Sequence, residues 1–237
     1  MNIDEQYIWL FWSLILIAVW LIVYALIKNK ESRREMFIVS LWTSILGLTE
    51  PLFVPEYWNP PSLFDLARRT GFDLESLIFS FAIGGLAVVL YELLQPLRHQ
   101  EMTHREKHSP RHRYHLVALL TGSIFFILLI IFAPINPIYS AIIAMVIGGT
   151  ATWWCRPDLK NKMFFSAAIF TLLYFFYFET LNLAFPGYVE QIWNLKAISN
   201  ILILDIPIEE LLFAAGLGFY WSSIFEHLKW KRLLLKK

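Results

Sequence analysis

The sequence predicts an all-α integral membrane protein. Seven transmembrane helices form two parallel three-helix repeats joined by a linking helix, with the N-terminus outside and the C-terminus cytoplasmic. Three observations lead there. Of 237 residues, 57% are hydrophobic, 17% aromatic and only 16% charged, a balance foreign to soluble domains. Seven apolar stretches are each long enough to cross a bilayer, which takes about 17–25 residues. The chain also repeats itself at a constant offset of 134 residues: Glu75-Ser76-Leu77-Ile78-Phe79 through Tyr91-Glu92-Leu93-Leu94 returns as Glu209-Glu210-Leu211-Leu212-Phe213 through Phe225-Glu226-His227-Leu228. Glu75/Glu209, Leu77/Leu211, Phe79/Phe213, Gly84/Gly218, Glu92/Glu226 and Leu94/Leu228 are identical in register. Lipid cannot satisfy backbone groups, and these runs are too long and too apolar for barrel strands, so helices are expected.

The spans are expected near residues 8–27, 36–53, 74–96, 114–133, 137–155, 163–185 and 203–226. The first follows Asp4 and Glu5, has a long core and lacks a small-residue cleavage site, so it reads as a span and not a signal peptide. Basic residues follow spans one, three, five and seven. They include Lys28, Lys30, Arg33 and Arg34, the loop from 97 to 113, then Arg156, Lys160 and Lys162, and finally Lys229 to Lys237. Seventeen of the twenty basic residues thus share one side, against Arg68, Arg69 and Lys196, which orients the chain. These loops read as topology signals in contact with anionic lipid, with no nucleic-acid role. Histidines 99, 104, 108, 112 and 115 lie in the longest polar segment without a specific ligand spacing, so a solvated loop is expected. Asp205-Ile206-Pro207 is expected to open span seven, with the proline in its first turn. Residues 1–97 form the first repeat, 98–136 the basic loop and joining helix, and 137–237 the second repeat.

The acids carry the chemistry. Glu50 and Glu179 close spans two and six, and Asp73, Glu75, Asp205, Glu209 and Glu210 stand at the mouths of spans three and seven. One reading makes them complements to helix ends; the other brings them together in a paired site. Burial with like-charged neighbours keeps a carboxyl neutral and able to donate a proton. Glu92 and Glu226 repeat near the basic loops and read as ion pairs or interfacial anchors. Trp58-Asn59 and Trp193-Asn194 fall in matching loops and, with Phe79 and Phe213, are candidates to bind substrate. Most aromatics, among them Trp9, Trp12, Tyr174 and Tyr220, read as belt and packing residues; a subset facing a cavity would suit a polyene or a carbocation. No nucleotide or flavin fingerprint, nucleophile motif or diphosphate-binding aspartate cluster occurs, and no cofactor or metal is expected. A single cysteine, Cys155, rules out an internal disulfide and a cysteine-cluster metal site. No lysine is expected inside a span, which excludes a retinal Schiff base.

At Asp205-Ile206-Pro207-Ile208-Glu209-Glu210-Leu211-Leu212-Phe213 the chain resembles the small membrane-integral lycopene cyclases, of the bacterial two-subunit and the fused archaeal and fungal types. The likeness extends over both repeats, the joining span and the flanks Pro55-Glu56-Tyr57 and Tyr91-Glu92. That family is built from duplicated three-span domains, each with a Pro-x-Glu-Glu/Asp motif entering its last helix. Pro207-Ile208-Glu209-Glu210 matches this motif fully, whereas Asp73-Leu74-Glu75-Ser76 lacks the proline and the second acid. The resemblance implies carotenoid biosynthesis in the cell membrane by redox-neutral, proton-initiated cyclisation of lycopene-type ends to β- or ε-type rings. It implies Glu209 or Glu210 as acid, with Asp205, Glu75, Asp73, Glu50 and Glu179 as base or electrostatic support. Its partners are an apolar polyene within the bilayer, membrane lipids, and homo- or hetero-oligomers with other carotenoid enzymes. Carotenoid hydratases and membrane terpene cyclases share this character; a non-catalytic subunit or a small carrier is the reading from another class.

Overall fold

A computed structural model describes residues 4–95 and 97–235; Lys236 and Lys237, counted above among the basic residues, lie outside them. In chain order the elements are α1 Ile8–Leu26, α2 Lys30–Ser44, α3 Leu66–Thr70, α4 Leu74–Leu94, β1 Leu97–Glu101 and α5 His104–Lys107. Then come α6 His115–Phe132, α7 Pro137–Cys155, α8 Lys160–Ala184, α9 Tyr188–Ile192, β2 Leu202–Ile203, β3 Ile206–Pro207, α10 Ile208–Trp221, α11 Ile224–Lys229 and β4 Lys231–Leu235. Among the described residues five helical stretches are long and apolar enough to cross a membrane: Glu5–Leu26, Leu74–Leu94, Pro110–Phe132, Pro137–Cys155 and Pro157–Ala184.

The other two expected spans are broken, for local reasons. Helix α2 starts at Lys30, where the Asn29 side chain accepts from Glu31 N at 3.0 Å, so its first turns are charged. It then tightens into a 3₁₀ stretch, Ile45–Leu52, which contains Pro51. The expected span 203–226 is corrected more strongly. Residues 202–207 form a small antiparallel hairpin, with Leu204 and Asp205 at positive φ in its turn. Pro207 stands at the N-cap and not inside the first turn, and Ser222 and Ser223 separate α10 from α11.

The bundle is arranged around α4 and α10. Helix α4 packs on α1, α2 and α8; α10 packs on α7 and α8 and touches α4; α6 lies along α7. Residues 82–90 of α4 are all buried. Helix α1 contributes Trp9, Trp12, Leu16, Trp20 and Val23, buried at the three- and four-residue steps of one helical face. Two glycines permit the closest approaches. A Cβ on Gly84 would run into Thr43 of α2, and one on Gly218 would lie 2.6 Å from Ser166 O of α8. Outward faces stay apolar, with Leu21 and Ile22 on α1, Ile131 and Phe132 on α6, and Phe176 and Leu183 on α8 all exposed, as suits lipid and not water.

One end of the bundle is fastened by buried charge. Lys162, expected in a loop, lies in the first turn of α8 and is fully enclosed. Its Nζ donates to Glu35 of α2 at 2.8 Å, Glu92 of α4 at 2.6 Å and Glu226 of α11 at 2.7 Å. The residues expected as a solvated loop also fold inward: β1 pairs antiparallel with β4, and the buried His99 ring reaches Glu35 at 2.8 Å and Glu226 at 3.0 Å. Three carboxylates, Glu35, Glu92 and Glu226, thus converge on two buried cationic side chains, His99 and Lys162.

Removing one partner from a buried charge cluster leaves the others uncompensated and costs about 3–5 kcal/mol. Lys162→Met is therefore expected to lower the thermal unfolding midpoint of the detergent-solubilised protein by several degrees or more; an unchanged midpoint would remove the cluster from the structural account. Burial alone lowers the His99 pKa, but the hydrogen bonds that its ring donates to Glu226, Glu35 and Glu92 outweigh it and push the imidazole up to about 12. Its stabilising contribution is complete below about pH 6.5, the unfolded value, and is lost as the pH climbs toward the folded one. The unfolding midpoint should thus fall as pH rises from about 7 to about 10, and fall less in His99→Gln.

Candidate active site

At the opposite end from the Lys162 cluster, a partly open cavity of about 500 Å³ lies between α1, α2 and its 3₁₀ extension, α4, α6, α7, α8 and α10. Its walls are aromatic and aliphatic, and Glu50 and Glu210 are its two carboxyl groups. Apolar pockets with a few placed polar groups are the usual form of small-molecule sites.

Glu210 is held by three donors. Tyr57 Oη and Trp193 Nε1 reach Oε1 at 2.6 and 2.8 Å, and Tyr174 Oη reaches Oε2 at 2.7 Å. Two of these donors are set by a link between the loops. Trp58 and Trp193 form an isolated antiparallel bridge, in which Asn59 N donates to Ile192 O and Asn194 N to Tyr57 O, both at 2.9 Å. The bridge also assembles an aromatic wall: Trp58 meets Trp9 with centroids 4.7 Å apart and Trp193 at 5.2 Å, and Trp9 meets Phe79 at 5.3 Å. Rings in such numbers offer quadrupole faces to a cation.

Glu50 is held differently. It sits in the 3₁₀ stretch, where Gly47 rides against the α4 backbone; a Cβ there would lie 2.7 Å from Ser76 O. Only glycine allows that approach, and it carries Glu50 to the cavity beside Ser76. Glu50 is buried, and its Oε1 has no hydrogen-bond partner among the described residues.

The remaining expected acids go elsewhere. Asp73 is buried as the N-cap of α4, accepting from Ser76 N at 2.5 Å, just behind the cavity wall. Glu75 accepts from Leu63 N at 2.7 Å, and its counterpart Glu209 accepts from Ser199 N at 2.9 Å and Tyr139 Oη at 2.7 Å. Both tie a preceding loop to a helix start, and neither lines the cavity. Glu179 is half-buried on α8 off the cavity, and Asp205 is exposed in the hairpin turn. Of the expected substrate contacts, Trp58, Trp193, Phe79 and Phe213 line the cavity, whereas Asn59 and Asn194 are exposed and serve the bridge with their backbones. Tyr57 entered the sequence reading only as part of the flank Pro55-Glu56-Tyr57, and Tyr174 was one aromatic among many; only the fold shows that both face a carboxylate. Glu92 and Glu226, expected as ion pairs or anchors, join the Lys162 cluster.

Glu75→Gln and Glu209→Gln each weaken a charge-assisted bond to a loop amide, worth about 1–3 kcal/mol. Each is expected to lower stability against denaturant by that amount, read on the detergent-solubilised protein. A change indistinguishable from zero would leave these two acids without the loop-holding role.

Residues 136–228 match the family model for lycopene cyclase. No curated protein and no solved structure matches the chain. The matched stretch contains α7, α8, α10 and most of α11, and with them Tyr174, Trp193 and the Pro207-Ile208-Glu209-Glu210 motif that supplies the cavity carboxylate. Over residues 136–228, less than half of its length, the chain is similar to the lycopene cyclase family.

Proposed function

We propose that the cavity is the ring-closing chamber of a membrane-embedded carotenoid cyclase acting on a lycopene-type acyclic end. The family match over residues 136–228 supports carotenoid cyclisation in general. The observation that carries the finer reading is the pair of carboxyl groups, Glu50 and Glu210, in one apolar aromatic space but held in opposite ways.

An acid that protonates an alkene must be neutral beforehand. Glu50, with a buried oxygen that nothing satisfies, suffers less as a neutral acid than as an anion. Glu210, surrounded by three donors, suits the charged role. Glu50 therefore gives its proton to the terminal double bond, forming a C–H bond and a tertiary cation. The neighbouring double bond attacks that cation and closes a six-membered ring, which moves the positive charge into the ring. Glu210 and the rings of Trp9, Trp58 and Trp193 stabilise the charge throughout. Loss of a ring proton to a carboxylate restores a double bond, of β or ε type according to which proton leaves, and no electrons are gained or lost overall. Apolar walls keep water from capturing the cation as an alcohol. The long polyene tail passes out to the acyl region between α6 and residues 45–53, where Phe126 stacks on Phe53 at 6.3 Å.

This assignment moves the acid from Glu209 or Glu210 to Glu50. It also accounts for the degenerate first motif: where the second acid of that motif would stand, the chain has Ser76, and Glu50 reaches the same part of the wall from the neighbouring element. In a lycopene-accumulating host the chain is expected to form cyclic carotenoids. Glu50→Gln and Glu210→Gln should each cut ring formation by about 100-fold or more, while Asp205→Asn and Glu179→Gln stay within a few-fold of the parent. Retention of full activity in Glu50→Gln, with the protein present in the membrane, would overturn the assignment. Ring formation only alongside a second chain would make this protein a subunit.

A further inference from the structure

Away from the cavity, at the end of the bundle bearing β1 and β4, three side chains that metals favour come together. His115 opens α6, Cys155 closes α7 and His227 lies in α11. One ligand atom from each lies within 4.8 Å of the other two. Cys155 Sγ is 3.6 Å from His115 Nδ1, and the rings of His115 and His227 meet edge to face with centroids 4.4 Å apart. Cys155 and His227 are fully buried. Thr152 Oγ1 lies 3.4 Å from His227 Nδ1, which leaves His227 Nε2 enclosed with no partner among the described residues. A buried imidazole nitrogen without a partner calls for an explanation.

Ligand chemistry supplies one. A thiolate and two neutral imidazoles are the donor set of a soft or borderline ion, and ligand atoms around tetrahedral zinc stand about 3.3–3.9 Å apart, a small rotation from the separations here. The surroundings are already arranged for it. Trp230 stacks on His115 at 3.6 Å and fixes that ring. The neighbouring Arg156 is engaged elsewhere, by Asp158 at 2.7 and 2.8 Å and by the carbonyls of Glu226 and Lys231. The other acid and histidine cluster, Glu35, Glu92, His99 and Glu226, offers no such room, because the Lys162 ammonium occupies its centre.

We propose that His115, Cys155 and His227 bind a divalent ion of the zinc class, with water in the fourth position, and that this ion clamps the ends of α6, α7 and α11 together. The site is independent of the cavity and its carboxyl groups. It departs from the expectation that the lone cysteine and the loop histidines have no metal role.

The test uses the full-length protein, purified in detergent from zinc-supplemented cells with a tag free of histidine. Mass-spectrometric metal analysis is expected to find about one zinc per chain, falling at least five-fold in Cys155→Ser and in His227→Gln but not in the loop variant His104→Gln/His108→Gln. Cobalt added to the metal-stripped parent should give the near-ultraviolet band of thiolate-to-cobalt charge transfer, and that band should vanish in Cys155→Ser. The cobalt measurement on the parent stands even where a variant fails to fold. Zinc well below one per chain in the parent, no charge-transfer band, or undiminished binding in folded Cys155→Ser would each overturn the proposal.

Discussion

Lys162 is the point on which the bundle depends. An ammonium group enclosed among helices is stable only if every donor finds an acceptor, and its three acceptors come from α2, α4 and α11. Glu92 and Glu226 stand at equivalent places in the two matched segments, so one lysine bonds to both halves at once. Apolar packing between helices in lipid is nearly indifferent to register, because lipid tails compete on equal terms with side chains. Directional charge is not indifferent. It fixes how far α4 can slide against α8, and hence how the far ends of α4 and α10 meet.

Those far ends bound the cavity, and a second directional element completes it there. The bridge between Trp58 and Trp193 joins the loop after the first acidic helix end to the loop after α9. Its hydrogen bonds place Tyr57 and Trp193, and these two side chains converge on one oxygen of Glu210. A carboxylate gripped from two loops and from α8 has little freedom to rotate. For the cyclisation proposed above, that rigidity would hold the negative charge at a fixed place beside the cation.

Much of the helical fold was legible, because lipid forces long apolar runs to be helical; the residue bounds 137–155 of α7 were read correctly. The failures have specific causes. Residues 203–207 are as apolar as a helix start, yet Leu204 and Asp205 take positive φ and turn the chain into a hairpin, a local backbone choice that hydropathy does not register. Lys162 and His99 read as loop residues because their partners are distant in sequence. The acids divide the same way. Glu210 and Glu50 could be named as candidates, but that Glu209 faces a loop amide while its neighbour faces a cavity is set by about 100° of helical rotation, to which the alternation of residues at a helix mouth gives no clue.

The asymmetry between the halves is informative for the chemistry. At the matched positions Glu75 and Glu209 do the same thing, each accepting from the amide of its preceding loop. The next position differs, and it is the one that faces the cavity: Ser76 in one half, Glu210 in the other. Two motif acids at both positions would set two similarly placed carboxyl groups against each other. Here the second carboxyl comes instead from Glu50, on a 3₁₀ turn that Gly47 presses against α4, and the donors that surround Glu210 have no counterpart on its free oxygen. The ring closure proposed above would require such inequality, since one group must give a proton while another bears charge in the same apolar space. The two matched sequence segments offer two comparable positions, and on the proposed reading the divergence of one of them is what separates the proton donor from the group that bears charge.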